Sequence, residues 1–111
     1  MIKRVSLVWK RAHLSDADFR RLWLGEHVEV ARRIPGVLEY TIDFSSQAPD
    51  GAPSGIATLR FESPEALDAA FSDPQLNEKL RRTREVFAER VQVMLVDECI
   101  VSPRTLQERI R

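Results

Sequence analysis

The alternation of apolar and polar positions along the chain predicts four β-strands. The second and third alternate with a period of two residues, which is typical of a strand with one buried face. The first and last are richer in continuous apolar and β-branched residues, and the last is expected to be buried on both faces. The predicted strands span residues 2–10, 37–44, 55–62 and 91–101.

Two helical regions are predicted between these strands. The first begins after Ser15, a favourable N-cap residue, and ends near Ile34, before a Pro-Gly pair. The second begins at Ser63-Pro64, and the similar signal at Asp73-Pro74 indicates that it is divided into two pieces. These pieces are expected at about residues 64–72 and 74–89.

The order βαββαβ predicts a ferredoxin-like α+β fold, in which a four-stranded antiparallel sheet has both helices on one face. With 111 residues the chain is expected to form one domain, residues 1–102, followed by a C-terminal tail, residues 103–111. The opposite face of the sheet would expose apolar residues of the first and last strands. We therefore expect a homodimer in which the two sheets face each other.

The predicted open face also carries polar side chains. A polar-lined cavity explains them better than a dry interface does, because binding pockets combine apolar walls with a few polar groups. Alternatively, these residues are solvated and the dimer contact lies elsewhere. Arg60 could bind a carboxylate or enolate, or it could pair with Asp43 or Glu39 across the sheet. The polar residues expected on this face are Glu39, Thr41, Asp43, Thr58 and Arg60, with Ser6 as a further candidate.

Composition argues against several classes of function. The chain has 17 Lys and Arg and 17 Asp and Glu, so we expect no nucleic-acid partner, which would require a basic excess. No apolar run approaches the roughly 20 residues that span a membrane. The single cysteine, Cys99, allows no internal disulfide, fits a cytoplasmic location and is expected to be structural within the last strand. One thiol and two histidines make a zinc site improbable, so no metal is expected.

His27 is the strongest candidate for chemistry. It lies beside the apolar stripe of the first helix, one turn after Trp23. An imidazole at such a boundary can act as a general acid or base near neutral pH. The alternative is a histidine at the edge of the core with one ring nitrogen hydrogen bonded. His13 is expected to be an exposed loop histidine.

The segment from Phe19 to His27, followed by residues 34–40, resembles the EthD-like family, named after ethyl tert-butyl ether degradation. The family pattern pairs an aromatic residue, a Trp and a His on the first helix with a Pro-Gly pair and a nearby Tyr. The resemblance covers nearly the whole chain and implies a dimeric α+β barrel. It assigns the family's histidine to His27 and its aromatic neighbours to Trp23 and Tyr40, although the alternation places Tyr40 on the helix-covered face.

The resemblance implies an enzyme that needs no cofactor, of the isomerase, cyclase or lyase type. Relatives include methylmuconolactone isomerases, and the wider superfamily includes aromatic polyketide cyclases and heme-handling monooxygenases. The substrate would be a lactone, an enol or an aromatic polyketide-like compound. His27 would transfer a proton, and the expected substrate-binding residues are Trp23, Tyr40, Thr41 and Arg60. Two alternatives stay open: a non-catalytic small-molecule-binding accessory protein, and a heme-dependent monooxygenase-like protein with His27 as axial ligand.

Overall fold

Four antiparallel strands form one sheet in the order β2-β3-β1-β4, and the computed structural model describes residues 1–102. The predicted ferredoxin-like α+β fold is confirmed, whereas the predicted tail, residues 103–111, lies outside the described residues. In chain order the elements are β1 (Ile2–Lys10), α1 (Asp16–Leu22), a π-helical segment (Trp23–His27), α2 (Val28–Ala31), β2 (Glu39–Phe44), β3 (Gly55–Phe61), α3 (Pro64–Ala70), α4 (Pro74–Glu85) and β4 (Ala88–Asp97).

Three helices begin at the caps that the sequence predicts. The Ser15 hydroxyl accepts a hydrogen bond from the Asp18 amide at 3.1 Å, and Ser63 and Asp73 cap α3 and α4 in the same way. Such caps satisfy amide groups that have no partner within the helix. No helix in the described part of the chain is both long enough and apolar enough to cross a membrane.

The first helical region differs from the continuous helix that was predicted. It contains the π-helical segment, in which Gly25 has non-helical dihedral angles (φ −86°, ψ −118°), and it ends at Ala31 instead of near Ile34. Glycine is a weak helix former, so a kink costs least at this position. The segment carries Trp23 at one end and His27 at the other, so the kink at Gly25 sets the angle between the helical turns that carry these two side chains.

The register of the strands divides the sheet into a helix-covered face and an open face. Ser6 of β1 pairs with Ala57 of β3 and with Val93 of β4, and Tyr40 of β2 pairs with Leu59. Because side chains alternate between faces, these residues lie on the helix side, so Ser6 does not belong to the open face for which it was a candidate. On the open face the apolar residues are Val5, Leu7, Trp9, Ile56, Met94 and Val96.

Two apolar clusters form the core between the sheet and the helices. One surrounds Phe61 and includes residues of α2 and α3. The other is aromatic: the Trp23 and Phe87 rings stack at 5.2 Å, and Phe19 contacts both rings edge-on. The first cluster receives Ile2 from β1 and the second receives Val8 from the same strand.

The last strand differs most from its predicted range and burial. It runs from Ala88 to Asp97, begins three residues earlier and ends four residues earlier than the predicted range 91–101, and is exposed along most of its length. Leu95, for example, is 56% exposed. The edge strand β4 pairs only with β1, and in the single chain neither of its faces is fully covered: the helices leave Leu95 exposed on one face, and the other face is open. Cys99 lies beyond the strand and is exposed, so its predicted place within the strand is wrong.

We predict that Gly55→Ala destabilises the domain. An alanine Cβ would lie 2.5 Å from Trp23 Cζ3 and 3.3 Å from the Asp43 carbonyl oxygen, so the packed indole or the strand must move. Overpacking of this kind lowers the free energy of unfolding by about 1–3 kcal/mol, measurable by urea denaturation.

A double-mutant cycle with Trp23→Phe provides the control, because phenylalanine lacks the outer ring that the new methyl group would meet. Gly55→Ala should cost less stability in the Trp23→Phe background than in the wild type. An equal cost in both backgrounds would contradict the proposed clash.

Candidate functional site

A cavity of about 450 Å³ lies between the helix-covered face of the sheet and the helices. Its walls are mainly apolar, and it opens beside the edge strand β4, where Val93 and Leu95 are exposed. A concave, mainly apolar site with a few polar groups is typical of a site for a small molecule. The main polar side chains of its wall are Arg4, Ser6, His27, Tyr40, Asn77 and Arg84.

The His27 ring is held in place from one side. Its Nδ1 lies 2.7 Å from the Thr83 hydroxyl oxygen, which also lies 2.9 Å from the Lys79 carbonyl oxygen. A hydroxyl has a single proton, and donating it to the carbonyl leaves the oxygen to accept from Nδ1–H. This network therefore assigns the proton to Nδ1 and leaves Nε2 with a free lone pair.

The surroundings of His27 favour the neutral imidazole. Burial, together with the positive charge of Arg84, lowers its pKa to about 4. The ring also packs edge-on against Phe87, with ring centroids 5.4 Å apart. At pH 7 the side chain is therefore an uncharged hydrogen-bond acceptor at Nε2, able to take a proton but with a low intrinsic basicity.

Tyr40 and Trp23 bring hydrogen-bond donors to the same cavity. Burial raises the pKa of Tyr40, opposed by the nearby Trp23 indole and by the charge of Arg32, so the phenol stays protonated at neutral pH. Trp23 Nε1 is buried and lies near the Tyr40 hydroxyl, but within residues 1–102 no partner meets full hydrogen-bond geometry. The two groups therefore bring their donors to one place, where an acceptor oxygen of a ligand would be stabilised.

Three of the five predicted site residues come together in this cavity, and two do not. His27, Trp23 and Tyr40 line it. Thr41 and Arg60 lie on the open face, because neighbouring positions on a strand point to opposite sides. The predicted cavity lies on the open face, would be enclosed by a second copy of the chain and stays a prediction, whereas this cavity lies on the helix side. Tyr40 therefore lies on the helix-covered face, as the alternation predicted, and also lines the cavity.

Arg60 has a different partner from either predicted one. Its Nη2 donates to Glu98 Oε2 at 2.6 Å, and Lys3 Nζ lies 2.8 Å from the same oxygen. Neither Asp43 nor Glu39 pairs with it, because Glu98 reaches the open face from beyond the end of β4. A substrate-binding role for Thr41 and Arg60 stays a prediction about the open face.

Arg4, Arg84 and Thr83 are site residues that the sequence reasoning missed. The positions of the two arginines in the sequence could have indicated their role. Arg4 shares the helix-facing side of β1 with Ile2 and Val8, and Arg84 follows Leu80 by four residues on the apolar stripe of α4. Charged residues at core-facing positions are unusual and indicate either a partner or a ligand. Thr83 left no comparable signal, because its role depends on the distant His27.

The other polar candidates lie apart from the cavity. His13 is exposed, as predicted. Among the described residues no three or more His, Cys, Asp or Glu side chains are grouped so that they could hold a metal ion.

The sheet order and the helix-covered cavity define the class of protein as a ferredoxin-like α+β domain. The EthD domain matches residues 11–90, and the chain belongs to that family, as the motif predicted. An ethyl tert-butyl ether (EthD) family protein from Bacillus halodurans has the same fold at 17% identity and a TM-score of 0.74, over 89% of this chain and 99% of that one.

Two further solved structures share the fold. A dimeric ferredoxin-like protein of unknown function from Thermobifida fusca is 10% identical, with a TM-score of 0.67 over 86% of this chain and 88% of that chain. SnoaB, a cofactor-independent oxygenase from Streptomyces nogalater, is 18% identical, with a TM-score of 0.58 over 95% of each chain. No curated protein matches the sequence significantly.

We predict that His27 makes the stability of the fold depend on pH. Its folded pKa of about 4 lies below the unfolded value of 6.5, so the unfolded state binds more protons between these values. Stability is therefore lost as the pH falls from about 6.5 towards 4. From pH 7 to pH 5 this one group removes about 2 kcal/mol of the free energy of unfolding.

Urea unfolding at the two pH values checks this effect. The wild type should lose about 2 kcal/mol more on acidification than His27→Gln does. His13→Gln replaces the exposed histidine and should behave like the wild type. A His27→Gln variant that loses as much stability as the wild type would contradict the assigned pKa.

Proposed function

We propose that this protein is a small-molecule enzyme that needs no cofactor and uses His27 as its proton-transfer residue. The observation that carries the proposal is the hydrogen bond from Nδ1 to Thr83, which leaves the Nε2 lone pair of a neutral imidazole available. The substrates we expect are lactones, enols or aromatic polyketide-like compounds. The reaction type is isomerisation, cyclisation or elimination.

In the proposed mechanism Nε2 accepts a proton from the carbon next to a carbonyl group. The C–H bonding electrons move into the carbonyl, and the negative charge develops on its oxygen. Tyr40 O–H and Trp23 Nε1–H lie in the wall of the same cavity and would donate hydrogen bonds to that oxygen. Hydrogen bonds to developing charge supply a large part of catalysis. His27 then returns the proton to another atom of the substrate, which completes an isomerisation without any cofactor.

Relatives of this fold support chemistry of this kind. SnoaB is a cofactor-independent oxygenase, so the same architecture accommodates catalysis without a bound cofactor. The reaction of SnoaB uses oxygen, whereas the reaction that we propose here needs only proton movement. The likeness therefore supports the absence of a cofactor more than it supports the choice of reaction.

A non-catalytic binding role is the main alternative, and one observation favours it. The low pKa of His27, about 4, makes the free imidazole a weak base at neutral pH. The same cavity would then carry a pathway intermediate without converting it. In the heme-dependent alternative His27 would hold the iron through Nε2, and heme titration of the wild type would shift and sharpen the Soret band of free heme, a change that His27→Gln would lack.

We predict that His27→Gln abolishes most of the proton transfer. A panel of lactones, enols and aromatic polyketide-like compounds is incubated with the protein in D₂O, and NMR follows both C–H exchange and product formation. Loss of a general base lowers the rate by about 10²–10⁴-fold. His13→Gln should keep the wild-type rate.

Thr83→Val tests the positioning of the ring. The variant keeps His27 but removes the oxygen that holds Nδ1, so a smaller loss is expected, with a changed pH profile of the rate. Wild-type turnover in His27→Gln would overturn the catalytic proposal. Compounds that bind without exchange or product, to wild type and His27→Gln alike, would favour the binding role.

We also propose that the open face pairs with a second copy of the chain, giving a homodimer. This face combines six apolar residues with the Lys3–Glu98–Arg60 ion pairs, and Met94 on it is 43% exposed in the single chain. Apolar surface of this extent is typical of an interaction site. The Thermobifida fusca protein of the same fold is dimeric, which supports the pairing.

We predict that Met94→Glu weakens the dimer, because it buries a carboxylate without a partner at the centre of an apolar contact. Native mass spectrometry should show two chains for the wild type and a shift towards one chain for Met94→Glu. Leu24→Glu is the matched control, since Leu24 is 52% exposed on the helical side of the domain. Dimers that survive Met94→Glu but not Leu24→Glu would move the interface to the helices.

A further inference from the structure

Two arginines in the cavity wall have no acidic partner within residues 1–102. Arg4 Nη1 donates only to the Ser6 hydroxyl, at 3.3 Å, and its guanidinium lies over the Phe71 ring at 4.7 Å from the centroid. The Arg84 guanidinium makes neither an ion pair nor a hydrogen bond to the described residues. The carboxylate of its neighbour Glu85 is instead paired with Arg81.

The charged side chains of the cavity wall are all positive. No Asp or Glu side chain of the described residues lines the cavity. Burial lowers the pKa of both Arg4 and Arg84, the charge of Arg84 lowers that of Arg4 further, and the charge of Glu85 offsets part of the effect on Arg84. Guanidinium groups nevertheless stay protonated in proteins, so two like charges lie in the wall of one cavity and are partly desolvated. Charges removed from water without a partner are destabilising, and an anion between them would offset that cost.

We propose that the cavity binds a small organic acid, with its carboxylate between Arg4 and Arg84 and its apolar body directed along the wall towards His27. A carboxylate fits two guanidinium groups because each can donate two parallel N–H bonds to it. The apolar wall, which includes Leu59 and Leu80, accommodates a hydrocarbon or aromatic body. This proposal rests on the proposed function and narrows its substrates to compounds that carry an acid group.

Arg84 connects the acid group to the reacting group. Its charge acts on Arg4 and on His27, so it lies within electrostatic reach of both. A bound carboxylate would compensate this charge and make protonation of His27 easier. The acid group would thus orient the substrate and also strengthen the base, which the empty cavity keeps weak.

The test compares 1-naphthylacetate with 1-naphthylacetamide, a neutral molecule of nearly the same shape. Isothermal titration calorimetry in a buffer without phosphate or sulfate measures both affinities. Wild type should prefer the acid by about tenfold or more, the value of one charge-assisted hydrogen-bond pair. Arg4→Gln and Arg84→Gln should each lower the acid affinity about tenfold and leave the amide affinity nearly unchanged.

Two control variants separate charge from folding. Arg84→Lys keeps the positive charge and should retain part of the preference, while Arg21→Gln removes an exposed arginine of α1 and should leave it unchanged. Urea unfolding of every variant verifies that it is folded. Equal affinity for acid and amide in the wild type, or an acid affinity that neither Arg4→Gln nor Arg84→Gln lowers, would overturn the carboxylate site.

The two proposals fail in different ways. His27→Gln should keep the preference for the acid while it loses proton transfer. If proton transfer depends on His27 but the protein shows no preference for acids over neutral compounds, the proposed function stands and the carboxylate site is overturned. A preference for the acid that depends on both arginines, without proton transfer on any acid of the panel, would keep the site and overturn the catalytic proposal.

Discussion

The stacking of Trp23 on Phe87, at 5.2 Å between ring centroids, is the contact on which the site depends. Trp23 begins the π-helical segment that ends at His27, and its ring fills the space that Gly55 leaves open above β3. Phe87 leads from α4 into β4 and also touches the His27 ring. One aromatic contact thus joins the first helical region, the sheet and the α4–β4 connection. It also determines where His27 lies relative to Thr83.

The cavity exists because the core is divided. Ile2 and Val8 belong to two separate apolar clusters, and between them β1 directs Arg4 and Ser6 towards the helices. These side chains cannot complete a close-packed apolar core, since a buried charge requires a partner. A leucine at position 4 would allow the clusters to merge and would add stability. The positions that leave the cavity open are therefore costly to the fold, and a ligand that pairs with Arg4 would offset part of that cost.

Most of the fold follows from local signals, and most of the site does not. Caps at Ser15, Ser63 and Asp73 and the alternation of the strands predict the element order, and the motif around His27 predicts the family. The ends of β4 could not be predicted from its apolar run, because pairing with β1 decides them. The face that carries the cavity could not be predicted either, since alternation separates Tyr40 from Thr41 without indicating which side is hollow. Nor does any local pattern relate Thr83 to His27, which are 56 positions apart in sequence.

The charges around His27 bear on both proposed roles of the cavity, binding and catalysis. The features that lower the pKa of His27 are burial and the charge of Arg84, and neither is specific to catalysis. With the cavity empty, His27 is a weak base, which suits a binding protein. A bound anion would compensate the charge of Arg84, which is the smaller of these two causes, and would raise the pKa of His27 part of the way towards its usual value. An acidic ligand would therefore supply part of the electrostatics that its own conversion requires, whereas a neutral ligand of the same shape would occupy the cavity and leave the imidazole inactive.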